Sequence, residues 1–280
     1  MHRARKRFGQ HFLHDQDVIG RIVAAIDPQR TDNMVEIGPG LGAITLPLLR
    51  RLDRLDAVEI DRDAISHLAG RHDCAALHVH EADVLDFNFS SLLREAAPGS
   101  PTGARRLRIV GNLPYNISTP LLFKLIAQRE SILDMHFMLQ KEVVDRMAAR
   151  ERDDAYGRLS VMLAPWLRVE PLFDIGPAAF RPPPRVTSTF VRLTPHSSPP
   201  FPMHAPARFS AVVAAAFAQR RKTLRNALKQ LLNEEQIRTA GIDPSQRAEV
   251  IAPAGFAALA EVLERISPKA VSEDCTTPAE

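Results

Sequence analysis

Short apolar runs alternate with amphipathic stretches between residues 33 and 150, and this alternation limits the possible folds of the chain more than any other feature. Each run has the length of a β-strand, and helical spacing of apolar residues follows most of them. Strands that alternate with helices in this way predict a parallel sheet covered on both faces. The predicted strands are residues 34–38, 55–60, 76–80, 107–112 and 133–140.

The alternation stops after residue 150, and the rest of the chain predicts an edge hairpin and a second domain. Two strand-like stretches, 169–176 and 188–195, flank the sequence FRPPPRV with no helical pattern between them, which predicts an antiparallel hairpin at the sheet edge. Pro and Ser dominate the next segment, which is typical of a linker. We therefore predict an α/β domain with a basic N-terminal arm over 1–195, a linker over 196–206, an all-α domain over 207–268 and a disordered tail over 269–280.

The composition predicts a soluble cytosolic protein with a polyanionic partner. With 280 residues and 45% hydrophobic content the chain can bury a full core, and it has no apolar run of membrane-spanning length. Cys74 and Cys275 match no metal-ligand spacing and are expected to be reduced thiols. The net charge is only +3, but basic residues cluster between positions 3 and 7 and again over 219–232, where five occur without an acid. Local basic patches of this kind favour a nucleic acid as partner.

In the second cluster Arg221, Arg225 and Lys229 recur every four residues, which predicts a helix with one basic stripe. The apolar residues predicted to pack on another face of this helix are Phe217, Leu224, Leu228 and Leu231.

A glycine-rich turn and two acids predict a nucleoside-binding site. Gly38, Gly40 and Gly42 separate the first strand from a helix, where a ligand can approach the backbone closely. Glu59 closes the next strand, 21 residues after Gly38, at the place where a carboxylate accepts ribose hydroxyls. Asp83 follows the third strand and offers a polar group to an adenine edge.

The same residues also fit an NAD-dependent oxidoreductase. Gly38, Gly40 and Ala43 satisfy the dinucleotide fingerprint, and Glu59 supplies the acid that this motif requires. Two features favour a different nucleoside cofactor. One is the additional acid Asp83, and the other is a hairpin where a sixth parallel strand would complete the dinucleotide fold.

The sequence Asn112-Leu113-Pro114-Tyr115 follows the fourth strand and predicts a site for methylating a base amine. The exocyclic amine of adenine is a poor nucleophile because the ring delocalises its lone pair. Two fixed acceptors, the Asn112 side-chain oxygen and the Leu113 carbonyl, would hold its N–H bonds and turn the lone pair outward. Pro114 restricts the backbone, and Tyr115 offers a flat face on which a base can stack. The alternative is an Asn-x-Pro turn that carries a surface tyrosine.

Eight motifs together resemble the ribosomal RNA adenine dimethyltransferases, most closely the bacterial small-subunit type, and the resemblance covers residues 3–266. The motifs are FGQHFL, VEIGPGLGAIT, VEID, EADVL, GNLPYNIS, MLQKEVVDRM, YGRLSV and FRPPPRVTS. The resemblance implies a Rossmann-like methyltransferase fold with S-adenosylmethionine as methyl donor and no metal. It also implies dimethylation of two adjacent adenosines in the 3′-terminal hairpin loop of small-subunit ribosomal RNA. The expected partner is this RNA within the assembling small subunit, bound by a cytoplasmic monomer.

Carried over residue by residue, the resemblance implies three groups of site residues. His11 stands where asparagine is typical of the family, and Phe180 is either a second aromatic beside the target base or a core residue. The implied donor site is His11, Leu13, Gly38, Glu59, Asp83 and Asn112. The implied catalytic motif is Asn112, Leu113, Pro114 and Tyr115. The implied RNA contacts, besides Phe180, are Arg221, Lys222, Arg225 and Lys229.

Two other functions fit parts of the sequence. One is the related large-subunit methylase that confers macrolide resistance, although the proline-rich hairpin and the basic helical region favour the small-subunit type. The other is a non-catalytic assembly or transcription factor that has kept the fold. The intact residues Glu59, Asp83 and Asn112 favour an active enzyme over such a factor.

Overall fold

The computed structural model describes residues 11–93, 106–114, 117–219 and 221–267, which form two compact units. The first unit contains the described residues up to 144 together with 169–195, and the second contains 145–168 together with those from 196 onward. This division differs from the predicted domains because residues 145–168 group with the C-terminal helices. The contacts of Tyr156 explain this grouping, because its ring is buried in the core of the second unit and its hydroxyl donates to the Ile251 carbonyl at 2.8 Å.

A seven-stranded mixed sheet forms the first unit. Its strand order is β4-β3-β2-β5-β6-β9-β7, with β2 to β6 parallel and β9 antiparallel to β6. The strands are β1 (Phe12–Leu13), β2 (Asn33–Ile37), β3 (Leu55–Glu59), β4 (Leu77–Glu81), β5 (Leu107–Asn112), β6 (Ile132–Gln140), β7 (Leu167–Ile175), β8 (Phe180–Arg181) and β9 (Ser188–Pro195). The predicted parallel sheet and its antiparallel edge hairpin are therefore confirmed. Outside this sheet, β1 and β8 pair with each other in antiparallel fashion.

Helices flank the sheet and make up most of the second unit. They are α1 (Gln16–Ile26), α2 (Thr45–Leu49), α3 (Arg62–Ala69), α4 (Ser118–Ala127), α5 (Lys141–Ala148), α6 (Arg158–Leu163), α7 (Pro206–Phe217), α8 (Leu224–Ala227), α9 (Glu234–Thr239) and α10 (Pro253–Ile266). Within the described ranges, none of these helices is long and apolar enough to cross a membrane.

Local sequence explains where α1 begins and which face it buries. Asp15 caps the helix, because its carboxylate accepts the N–H groups of residues 17 and 18. Ile19, Ile22 and Ile26 recur at helical spacing and are buried against the sheet. All five residues of β2 are buried, as expected for a strand covered on both faces. The carboxyl ends of the parallel strands therefore rest on a well-packed core.

The described residues 221–232 do not form the continuous helix that the periodicity predicts. Among them only α8 is helical, and Thr223 before it is extended and forms a bridge to Arg247. The Leu224 N–H donates to the Gln246 carbonyl at 2.7 Å, so pairing with a distant segment overrides helix propensity here. The apolar face is nevertheless packed as predicted, because the side chains of Leu224 and Leu228 are fully buried.

Candidate active site

The carboxyl ends of β2, β3 and β5 open onto a cavity of about 950 Å³. Parallel strands place their carboxyl ends at the same edge of a sheet, so side chains that are distant in sequence meet there. The strand β1 lines a further wall of this cavity. The sequence-predicted residues that line it are His11, Leu13, Gly38, Glu59, Asp83, Asn112, Leu113 and Pro114. The structure thus brings together all six residues of the predicted methyl-donor site.

The glycine turn forms the floor of the cavity. Gly38 and Gly40 have φ angles of +65° and +55°, which side chains on L-residues rarely allow. A Cβ on Gly40 would lie 3.4 Å from Cε1 of Phe12, so the turn and β1 approach each other closely. The Gly40 N–H donates to Oε2 of Glu59 at 3.3 Å. This bond joins the turn to the end of β3.

Backbone hydrogen bonds hold the Glu59 carboxylate at the cavity wall. Its Oε1 accepts the N–H groups of Ile60 at 2.9 Å and Asp61 at 2.8 Å. Burial raises the pKa of Glu59, and these backbone donors oppose that rise. Because Oε1 already accepts two bonds and Oε2 accepts only the Gly40 N–H, Oε2 has acceptor capacity left for a ribose hydroxyl. Asp61 is buried and caps α3 instead, which favours Glu59 as the ribose contact.

The wall beyond Glu59 combines an acid with apolar side chains. Asp83 is exposed at the rim, and its Oδ1 accepts the Leu85 N–H at 2.8 Å. Ile60 also lines the cavity and stays 49% exposed, which is unusual for a large apolar side chain. With the buried Val84 it offers an apolar wall against which a flat ring can pack. Ile60 was not predicted as a site residue, although an apolar residue directly after Glu59 is a usable signal.

Asn112 ends β5 at the mouth of the cavity. The preceding Gly111 is required there, because a Cβ would lie 2.7 Å from the Ile37 carbonyl oxygen. The Asn112 side-chain amide donates through Nδ2 to the His11 carbonyl at 2.9 Å. Leu113 is buried, and the Pro114 carbonyl accepts the Ile117 N–H in the turn that leads into α4. Tyr115 lies outside the described residues, so its stacking role stays a prediction.

Glu36 is a second buried acid in the cavity, and sequence analysis did not identify it. It lies on β2, lines the cavity and is only 3% exposed. Burial raises its pKa to about 7, and the negative charge of Glu59 acts in the same direction. Its Oε2 has no hydrogen-bond partner among the described residues. A carboxylate within an otherwise apolar strand was the available signal.

None of the predicted RNA contacts is among the residues that line this cavity. Phe180 is 3% exposed and packs in the core of the first unit, which favours the packing role that the sequence left open. It is not among the residues that line the cavity. Four basic side chains are exposed on the second unit, and their role in RNA binding stays a prediction. They are Arg221, Lys222, Arg225 and Lys229.

The cavity suits a nucleoside. A glycine-rich turn, a buried carboxylate hydrogen-bonded to that turn and an apolar wall are the groups that such a ligand requires. Over the described ranges, no group of three or more His, Cys, Asp or Glu side chains could hold a metal ion. The residues present therefore fit S-adenosylmethionine.

Comparison with known proteins agrees with this fit. A dimethyladenosine transferase from Plasmodium falciparum has a similar structure, with a TM-score of 0.69 and 24% identity over 89% of this chain and 96% of that one. The 23S rRNA methyltransferase ErmE has a TM-score of 0.63 and 23% identity over 90% and 99%. At such identities these two structures support the fold alone. Fold and cavity together define the class of protein, a Rossmann-like fold of the kind found in these methyltransferases, with a cavity that fits S-adenosylmethionine.

The chain belongs to the ribosomal RNA adenine dimethylase family, whose model matches residues 1–265. Its relatives include ribosomal RNA small subunit methyltransferase A from Methylobacillus flagellatus, which is 53% identical over 94% of this chain and 98% of the relative. The protein of the same name from Pseudomonas fluorescens is 50% identical over 98% of both chains. The enzyme class and methyl donor expected from the sequence are thereby confirmed.

Proposed function

We propose that the protein dimethylates the exocyclic amines of two adjacent adenosines in the 3′-terminal hairpin loop of small-subunit ribosomal RNA. The substrate is supported by relatives named ribosomal RNA small subunit methyltransferase A at about half identity over nearly the whole chain. The observation that carries the chemistry is the position of Asn112, whose amide is held at the mouth of the cavity by a hydrogen bond to the His11 carbonyl.

The donor supplies an electrophilic methyl group on a sulfonium when it is bound. We expect Glu59 to hold its ribose through Oε2, and Asp83 to contact its base. His11 and Leu13 contribute the wall on the other side of the glycine turn. These contacts fix the position of the methyl group relative to Asn112, and alignment of reacting atoms is a large contribution to rate in such transfers.

The protein groups at Asn112 activate the amine by orienting it. The Asn112 Oδ1 and the Leu113 carbonyl accept its two N–H bonds, which turns the nitrogen lone pair towards the methyl group. The new N–C bond forms as the S–C bond breaks, and the positively charged nitrogen then loses a proton to water. Since that aminium is acidic, no base with a tuned pKa is required. A second transfer to the same nitrogen completes dimethylation.

We also infer the compartment, the oligomeric state and the partner of the enzyme. It acts as a cytoplasmic monomer on the small subunit during its assembly. The exposed basic side chains of the second unit, Arg221, Lys222, Arg225 and Lys229, support contact with the phosphate backbone of a large RNA.

The proposed function is tested by incubating the protein with labelled S-adenosylmethionine and undermethylated small subunits. Nucleoside digestion is expected to give N6-dimethyladenosine at two adjacent positions. The variant Asn112→Ala should lose most turnover, on the order of a hundredfold or more, because orientation of the amine is lost. Large subunits serve as the control substrate. Label in large-subunit RNA alone would contradict the proposal.

A further inference from the structure

A short strand near the N-terminus lines the cavity and is held there by a partner strand. Residues 11–14, which we call the N-terminal strap, include β1, and β1 pairs with β8 through Phe12 and Leu13. The His14 N–H extends this pairing by donating to the Ala179 carbonyl at 3.0 Å. Leu13 is 5% exposed and packs in the core. The strap is thus held by both its backbone and an apolar anchor.

The His11 side chain adds a further fastening at the first residue of the strap. Its Nδ1 lies 2.7 Å from the Pro182 carbonyl oxygen. A carbonyl only accepts, so Nδ1 carries the proton and donates. This contact joins residues that are 171 positions apart and fixes the backbone of residue 11 against the segment that follows β8.

The His11 carbonyl in turn controls the side chain of Asn112. It accepts the Asn112 Nδ2–H at 2.9 Å, across 101 residues of sequence. An amide that is turned over would face this carbonyl with Oδ1, and two acceptors would then repel each other. With Nδ2 held by the strap, Oδ1 lies on the other side of the amide. That is the orientation in which Asn112 can accept an N–H bond of the target amine.

We propose that the N-terminal strap is a positioning element for methyl transfer, in which the His11 carbonyl keeps the Asn112 amide in its productive orientation and the His11 imidazole holds the strap. This inference rests on the proposed function, since it assigns the orientation that the transfer requires. It gives His11 a role that is separate from donor binding. A contact with the donor alone would affect donor affinity, whereas a positioning role lowers the rate at saturating donor.

Substitutions of His11 separate the positioning of Asn112 from a contact with the methyl donor. The Nδ2 of asparagine and the Nδ1 of histidine stand equally far from the Cβ atom, so His11→Asn keeps a donor for the Pro182 carbonyl. His11→Asp has the same shape but presents an acceptor there, and His11→Leu presents neither. We expect His11→Asn to keep kcat within about twofold. The other two variants should lower kcat by roughly three- to tenfold at saturating S-adenosylmethionine, with a smaller change in KM for S-adenosylmethionine.

A spectroscopic measurement tests the same inference without turnover. In protein labelled with ¹⁵N-asparagine, the side-chain amide signal of Asn112 is assigned by its loss in Asn112→Ala. In the wild type and in His11→Asn this signal should show slow hydrogen exchange, and in His11→Asp and His11→Leu the exchange should be faster. Thermal unfolding of each variant establishes that the proteins are folded.

The outcomes distinguish this inference from the proposed function. If the wild type forms no dimethyladenosine, the proposed function fails, while the amide measurement still reports on the strap. If the wild type is active and His11→Asp matches it in kcat and in Asn112 exchange, the strap does not position the amide. Equal losses of kcat in His11→Asn and His11→Asp would also overturn the inference, because only His11→Asp removes the hydrogen-bond donor to the Pro182 carbonyl.

Discussion

Glu36 keeps its proton at pH values where an exposed glutamate is ionised. Burial raises its pKa to about 7, whereas in the unfolded chain it returns to its ordinary value of 4.5. The folded state therefore binds the proton more tightly, so this residue's contribution to stability falls as the pH rises from 4.5 to 7. Above pH 7 the protein carries a buried charge beside Glu59, and its cost is on the order of 3 kcal/mol.

Replacing Glu36 by glutamine should remove this cost. We expect Glu36→Gln to raise the free energy of unfolding at pH 8 by up to about 3 kcal/mol and to change it little at pH 5, because the acid is then protonated. Urea unfolding without donor at both pH values measures the difference. The exposed acid Glu130 offers a matched control, and Glu130→Gln should be neutral at both. An equal effect of Glu36→Gln at pH 5 and pH 8 would contradict this assignment.

A buried histidine in the strand pair β6–β9 has the opposite effect on how stability depends on pH. His136 lies opposite Arg192 in this pair and is fully buried, and burial lowers its pKa to about 4 from the usual 6.5. The Arg192 Nε donates to Nε2 of His136 at 3.0 Å, so the imidazole is neutral with its proton on Nδ1. The unfolded chain gains the proton first on acidification, so stability falls as the pH drops from 6.5 to 4.

These two groups should offset each other between pH 4.5 and 6.5. Acidification in this range favours the folded state through Glu36 and disfavours it through His136. We therefore expect Glu36→Gln to lose stability steeply on acidification and His136→Gln to gain it, while the wild type changes less than either. Chemical unfolding of the three proteins at four pH values measures the slopes. Parallel slopes in all three would show that neither residue governs this pH range.

The elements also differ in how far the sequence could predict them. The sheet from β2 to β6 was predictable because each strand forms one apolar run and most of the connections carry helical periodicity. By contrast, β1 and β8 have two residues each, and each depends on a partner about 170 residues away. Local patterns hold no signal for such a pair. The break before α8 was missed for the same reason, because Leu224 bonds to a distant carbonyl.

Within the site, residues that end strands were predictable and residues held by tertiary contacts were not. Gly38, Glu59 and Asn112 follow strands whose carboxyl ends must share an edge, so their convergence follows from the order of the elements. The hydrogen bond from Asn112 to the His11 carbonyl depends on the path of the N-terminal strap. Nothing in the spacing of these two residues indicates it.

At the scale of the whole molecule, the cavity and the basic surface belong to different units. Every residue that lines the cavity lies in the first unit, whereas Arg221, Arg225 and Lys229 lie in the second. The sequence predicted one helical stripe for these three cations, and only Arg225 lies in α8. All three are nevertheless exposed, and exposed cations can each contact a phosphate without sharing a helix.

We predict that replacing Arg221, Arg225 and Lys229 together by glutamine weakens binding to small subunits. Each lost phosphate contact reduces the log–log salt slope by roughly 0.7–0.9, so the slope should flatten by about two to three units. Donor affinity, measured by calorimetry, should stay unchanged because the cavity is untouched.

A matched control removes the same number of charges from the first unit. Arg30, Arg62 and Arg71 each pair with a neighbouring acid at 2.5 to 2.8 Å, closer than the 3.8 Å between Arg225 and Glu234, so their replacement by glutamine should leave the slope nearly unchanged. If the control triple variant flattens the salt slope as much as the Arg221, Arg225 and Lys229 variant does, net charge rather than a defined surface governs binding. An unchanged slope in the first triple would instead assign RNA docking to the basic residues between positions 3 and 7, which lie outside the described part of the chain.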